Sequence, residues 1–175
     1  MKESIVFSKI EEIIKTFKPE TISNERKLIL QPLIEFIQEK TANNQEIRLN
    51  FICTHNSRRS HFSQIWAQTL AYYFNVKNVF CYSGGTEATA LFPTVAETFE
   101  NCGFKISIIS EGNNPIYSIK YAENEAPIIV FSKTFDNNCN PKSKFAAILT
   151  CDSSNENYPN LQDAEKRIAI TFKDQ

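Results

Sequence analysis

The segment Leu49-Asn50-Phe51-Ile52 runs into the polar stretch Cys53-Thr54-His55-Asn56-Ser57-Arg58-Arg59-Ser60, after which apolar residues return at helical spacing. Phe62, Ile65, Trp66, Leu70, Tyr73 and Phe74 fall close to the i, i+3, i+4 period of one helix face. Strand, short loop and helix in that order open a βα unit, and the pattern recurs downstream. Residues 48–52 read as the first strand, 60–74 as a helix, and 78–82 as a second strand ending in the turn Ser83-Gly84-Gly85-Thr86. Residues 93–101 read as a helix stopped by Gly103, whose freedom at positive φ suits a helix C-terminus. Residues 106–109, 116–121 and 127–131 read as a hairpin-like insertion, and 145–150 and 167–172 as the last two strands. Alternating β and α segments predict an α/β fold with a mainly parallel central sheet covered on both faces, a three-layer α/β/α sandwich. A ligand then belongs outside the carboxyl ends of the strands, where Cys53 lies.

A chain of 175 residues that is 42% apolar suffices for one such domain with a proper core, so a second full domain is not expected. Residues 1–45 differ from the rest and form an N-terminal helical extension; 46–175 form the βα domain. Ile10, Ile13, Ile14 and Phe17 make one helical stripe before Lys18-Pro19; Leu28, Leu30, Leu33, Ile34 and Ile37 make another. Pro32 lies inside the second stripe, so that helix is expected to start or kink there. Thr41-Ala42-Asn43-Asn44 is the link. The two helices read as a pair packed on the domain surface, with a part in substrate selection or dimerisation as the sharper alternative.

The net charge of −1 argues against a nucleic-acid partner. No apolar run reaches the length of about 20 residues that a membrane span needs. The cysteines, five in number, show no tight paired pattern, and Lys2, Glu3 and Lys9 interrupt any signal-like core, which together point to a reduced, cytoplasmic protein.

Cys53 and Arg59 carry the chemistry. At the end of a strand, before a tight loop and a helix N-terminus, a thiol faces backbone N–H groups and the positive helix end, which favour thiolate over thiol. The amides of Thr54, His55, Asn56, Ser57 and Arg58 can hold an oxyanion, and Arg59 can fork two N–H donors onto two of its oxygens. Ser60 can give its hydroxyl to the sulfur. The implied reaction is a two-step substitution: Cys53 attacks phosphorus in line, and water hydrolyses the thiophosphate ester. The plainer alternative is a buried cysteine with two solvated arginines, which leaves His55, Asn56, Arg58, Arg59 and His61 crowding one turn unexplained. Zinc binding by Cys53, His55 and His61 lacks a spaced ligand quartet, so no metal is expected.

From Arg48 onward the chain resembles the low molecular weight protein tyrosine phosphatases and the related thioredoxin-coupled arsenate reductases. The resemblance rests on Cys53, Asn56, Arg59 and Ser60, on Ser83-Gly84-Gly85-Thr86, on Leu149-Thr150-Cys151-Asp152 and on Lys173-Asp174. It is nearest to bacterial members with an extra N-terminal helical segment. The family implies that Asn56 and Ser83 brace the loop and that Asp174 is the general acid, although here Gln175 follows it instead of proline and the family's last helix has no counterpart. Asp152 is the nearest alternative acid. The family also has glycine at His55, where positive φ would strain a histidine, and a second cysteine at Arg58, so a loop disulfide is not expected.

The resemblance and the residues together imply a cysteine-dependent hydrolase of phosphate monoesters, phosphotyrosine being the family's usual one. Its substrate is a phosphorylated small molecule or protein, and phosphate, sulfate or arsenate is the active-site anion. The alternative is an arsenate reductase in which Cys151 attacks Cys53 and thioredoxin or glutathione resolves the bridge. Tyr158 stands where that branch has its third cysteine; Cys139 reads as a loop residue, and Cys81 and Cys102 as core. A second alternative is a weakly active oxyanion-binding module.

Overall fold

The computed structural model describes residues 5–152 and 161–172. In chain order its elements are α1 (Ser8–Thr16), a 3₁₀ turn (Pro19–Thr21), α2 (Asn24–Ala42), β1 (Ile47–Cys53), α3 (Arg59–Tyr73), β2 (Val79–Gly85), α4 (Pro93–Asn101), β3 (Lys105–Ser110), β4 (Ile116–Lys120), β5 (Ile128–Val130), β6 (Phe145–Leu149) and β7 (Ala164–Ala169). A parallel sheet of four strands, in the order β2-β1-β6-β7, forms the centre. Helices flank it, so the chain is α/β in a form compatible with three layers.

The central strands are buried because both faces are covered. β6 is buried throughout, and β1 everywhere except Arg48. Side chains alternate along β1. Leu49 and Phe51 join Phe36 of α2, Ile148 and Ile168 on one face; Ile52 joins Ala147, Leu149 and Phe135 on the other. The insertion is more than a hairpin: β3, β4 and β5 form their own antiparallel sheet of three strands. No helix among the described residues is long and apolar enough to cross a membrane.

The N-terminal helices depart from expectation. The second begins at Asn24, where Ser23 Oγ accepts the Arg26 N–H at 3.2 Å, and runs through Pro32 to Ala42. Proline forfeits one bond, to the carbonyl of Leu28. Leu28 is 75% exposed, so water can satisfy that carbonyl, while buried Phe36 anchors the next turn. Leu28 and Ile34 therefore face solvent, and the helix packs through Phe36 with Leu30, Leu33 and Ile37. The first helix is not a surface attachment either. Ile10 and Ile14 are buried with Val95, Phe99 and Phe104, and Gly103, at φ +96°, leaves its Cβ space to Lys9 of α1.

Ser83, Gly84 and Gly85 are strand, not turn: they pair with Phe51, Ile52 and Cys53 of β1. The glycines are there because other backbone comes close. A Cβ on Gly84 would stand 2.4 Å from Phe135 Cα, and one on Gly85 2.6 Å from the Thr54 carbonyl oxygen and 2.7 Å from Asn56 N. Gly84→Ala is therefore expected to lower stability by about 1–3 kcal/mol, read as a fall in the denaturation midpoint. An unchanged midpoint would mean that the Phe135 backbone moves aside without penalty.

The outer edge of β2 is closed by side chains instead of another strand. Gln68 donates to the Val79 carbonyl and accepts from Cys81 N, Gln64 donates to the Cys81 carbonyl, and Asn140 Nδ2 donates to the Ser83 carbonyl. Gly85 N then donates to the Lys133 carbonyl.

Candidate active site

The sheet order places a crevice before any side chain is considered. From β1 the chain passes to β2 on one side, and from β6 to β7 on the other, so the connections diverge between the carboxyl ends of β1 and β6. Such a switch point is where open parallel sheets bind ligands. Cys53 ends β1, and Thr150 and Cys151 follow β6. Thr54 Oγ1 lies 3.5 Å from Cys151 Sγ across this crevice.

The loop from Cys53 to Ser60 is held by its carbonyls. The Cys53 carbonyl accepts from Thr86 N, the Thr54 carbonyl from Glu87 N and Thr86 Oγ1, and the Ser57 carbonyl from Phe92 N. The His55 carbonyl accepts from Thr89 Oγ1 at 3.1 Å and Ser132 Oγ at 2.9 Å. In a trans peptide the following N–H points the opposite way, so outward carbonyls turn the loop amides toward the cleft. α3 begins with no side-chain cap, leaving its positive end to the same space. Cys53, Thr54, His55, Ser57, Arg58 and Arg59, with Thr89 and Phe92, line a cleft of about 540 Å³.

Behind the cleft a buried relay orients the hydroxyl beside the sulfur. Lys133 N donates to Asn56 Oδ1 at 2.9 Å, which fixes the Asn56 amide with Nδ2 toward Ser60 Oγ at 2.8 Å. Because Asn56 donates to that oxygen, the Ser60 proton is left for Cys53 Sγ, 3.1 Å away. Asn56 adopts φ +44°, a left-handed conformation that asparagine tolerates better than most residues. The positive φ thus falls at Asn56 and not at His55, which removes the expected strain of a histidine in the glycine's place.

His61 holds this conformation. Its Nε2 lies 2.9 Å from the Asn56 carbonyl oxygen and its Nδ1 3.2 Å from Ser83 Oγ. A carbonyl only accepts, so Nε2 carries the proton and Nδ1 accepts from Ser83; the ring is neutral. Burial, and secondarily the charge of Lys133, lower its pKa from 6.5 to about 3. Both His61 nitrogens are occupied, and the described residues contain no group of three or more His, Cys, Asp or Glu placed to hold a metal ion.

The other expected site residues are distributed as follows. Ser83 reaches the loop through His61. Arg58 rests on the Phe92 ring, 4.9 Å from its centre, and the His55 ring lies 3.7 Å from Glu87. Arg59 Nη1 donates to the Phe172 carbonyl at 3.3 Å. Asp174 and Tyr158 lie outside the described residues; Asp152 is exposed. Cys81 is core, with its thiol pKa pushed up by burial, Cys102 is partly buried, and Cys139 is exposed.

Several contributors have no local signature: Thr89, Phe92, Ser132 and Lys133 arrive from distant segments. Arg26 of α2 is another, donating to the Thr171 carbonyl at 2.9 Å with its guanidinium 4.5 Å from the centre of the Phe172 ring. The helical extension thereby holds the segment after β7 that Arg59 also touches.

No family model matches the chain, and no curated protein matches it.

Proposed function

We propose that the chain is a cysteine-dependent phosphomonoesterase with a low molecular weight phosphatase-like fold. The observation that carries this reading is Ser60 Oγ at 3.1 Å from Cys53 Sγ, its proton directed by Asn56, at the carboxyl end of the central strand. Such a hydroxyl stabilises a thiolate leaving group, which a thiol with a purely structural role does not need. In this mechanism Cys53 attacks phosphorus in line and the loop amides hold the equatorial oxygens. Arg59 turns from the Phe172 carbonyl onto two of them, and water cleaves the thiophosphate. Asp174 protonates the leaving oxygen.

Cys151 beside Thr54 favours a second reading, arsenate reduction, in which Cys53 first displaces water from arsenate to form an S–As bond, Cys151 attacks the Cys53 sulfur so that the arsenic leaves with the bonding pair as arsenite, and two external thiols or a dithiol reduce the resulting disulfide. Two assays separate them. Wild type is expected to hydrolyse p-nitrophenyl phosphate with no dependence on Cys151. Arsenate-dependent oxidation of added thiol that disappears in Cys151→Ser would replace the first reading with the second. If phosphate only raises the melting temperature and neither reaction occurs, the chain is an oxyanion-binding module.

Under the phosphatase reading α2 has a catalytic consequence, because Arg26 clamps residues 171–172, and in the sequence Asp174 follows Phe172 by two positions. Arg26→Ala is expected to lower kcat roughly tenfold with little change in KM, since a misplaced acid affects the transition state more than binding. A rate that is unaltered for a nitrophenyl ester but lowered for an alkyl phosphate would still fit, because the poorer leaving group needs the acid more. Unaltered rates for both would exclude it.

A further inference from the structure

A second cleft, of about 770 Å³, opens along the outer edge of β2 and against β5. Lys133 stands in its wall, only 4% exposed. Its Nζ lies 3.5 Å from the Phe131 carbonyl oxygen and 4.8 Å from the centre of the Phe131 ring, and Cys139 is the nearby group that acts on its charge. Phe131 and Cys139 line the cleft together with Lys133, whose charge also acts on buried His61. No carboxylate among the described residues pairs with it; Glu125, also in the lining, bears on Tyr121 instead. Burial lowers the Lys133 pKa to about 8, so the group is still mostly charged at neutral pH. A long contact to a carbonyl and an aromatic face offset only part of the water such a cation has lost. Asn140, on the same wall, is buried with Oδ1 lacking a hydrogen-bond partner, an acceptor open to an N–H or O–H of a ligand and not to its anionic oxygen. Elsewhere the lining is largely apolar, with Tyr121, Pro127 and Ile129.

We propose that this cleft binds a small organic anion whose charged oxygen pairs with Lys133 Nζ and whose apolar body lies along Tyr121 and Ile129. The site is separate from the Cys53 cleft and does not depend on the chemistry proposed there. It does communicate with it. The Lys133 backbone N donates to Asn56 Oδ1 and its carbonyl accepts from Gly85 N, so a ligand on the side chain bears on the loop that orients Ser60.

Benzoate is the probe, with uncharged benzamide as its isostere, titrated into the full chain at pH 7 and followed by NMR of the lysine ε-positions. Benzoate is expected to bind saturably and to raise the Lys133 titration midpoint above its ligand-free value. Benzamide is expected to bind at least about tenfold more weakly. Lys133→Met, which keeps the stem and removes the charge, is expected to fold with a higher melting temperature and to lose benzoate at least about tenfold, whereas Arg59→Ala leaves binding unchanged. The proposal is overturned if benzoate does not saturate, if benzamide binds equally well, or if Arg59→Ala abolishes binding that Lys133→Met retains. Should Lys133→Met not fold, the wild-type midpoint decides: unmoved by benzoate, it overturns the proposal.

Discussion

Cys53→Ser is expected to abolish hydrolysis of p-nitrophenyl phosphate, by at least about 10⁴-fold in kcat, while phosphate still raises the variant's melting temperature. The size follows from the chemistry: a serine hydroxyl is a far weaker acid than a thiol. His61 has both nitrogens committed to Asn56 and Ser83, and the side chain 3.1 Å from Cys53 Sγ is another hydroxyl, Ser60. Sulfur can be ionised by the loop field, but an alcohol cannot, so the two-step route closes. Anion binding survives because the donors are elsewhere, in the loop amides turned inward by their anchored carbonyls and in Arg59. The measurement is steady-state turnover together with a phosphate titration of the melting temperature. Activity within tenfold of wild type in Cys53→Ser would remove the thiophosphate mechanism. Loss of the phosphate effect as well would mean that the substitution had disturbed the loop itself.

Acid is expected to destabilise the protein through His61, by about 1.4 kcal/mol per pH unit and on the order of 5 kcal/mol in all. The sign follows from the two states. The folded ring resists protonation down to about pH 3, whereas the unfolded ring takes its proton near the ordinary 6.5. Between those values the unfolded state binds more protons, so the stability present above pH 6.5 is lost as pH falls toward 3. Protonation would also set an N–H against the Ser83 hydroxyl, which could then no longer donate to Nδ1, and would add a second charge near Lys133. His61→Gln keeps a donor for the Asn56 carbonyl without the titration. Thermal melts of both proteins between pH 7 and 4.5 isolate the effect from the carboxylates, which they share. The wild-type curve should fall more steeply below pH 6.5, and parallel curves would show that His61 does not carry the acid sensitivity.

How far these features are legible in the sequence varies with their range. The βα unit around Cys53 is legible because strand, loop and helix are contiguous and each has its own period. Gly103 is legible because a helix stop is a local event. Ser83-Gly84-Gly85 misleads for a physical reason: glycine-rich segments read as turns, whereas here the missing side chains admit the Phe135 and Thr54 backbones against a strand. Pro32 misleads similarly, since its lost bond falls on a solvent-facing turn and buried Phe36 outweighs it. His61 reads as a stray ligand because its role depends on Ser83 and on the fold of Asn56, and neither shows in the spacing of residues.

The sequence by itself determined the parallel α/β architecture and the position of Cys53 at a strand end, because both follow from hydrophobic period and from the order of neighbouring segments. Tertiary structure decided everything that depends on which strands lie side by side. The order β2-β1-β6-β7 puts Cys151 across from Thr54, brings the Lys133 backbone to Asn56, and lets Arg26 of the N-terminal extension reach residues 171–172. Those contacts join residues up to 145 positions apart. No local propensity encodes them, since they exist only once the strands have paired and the core has closed.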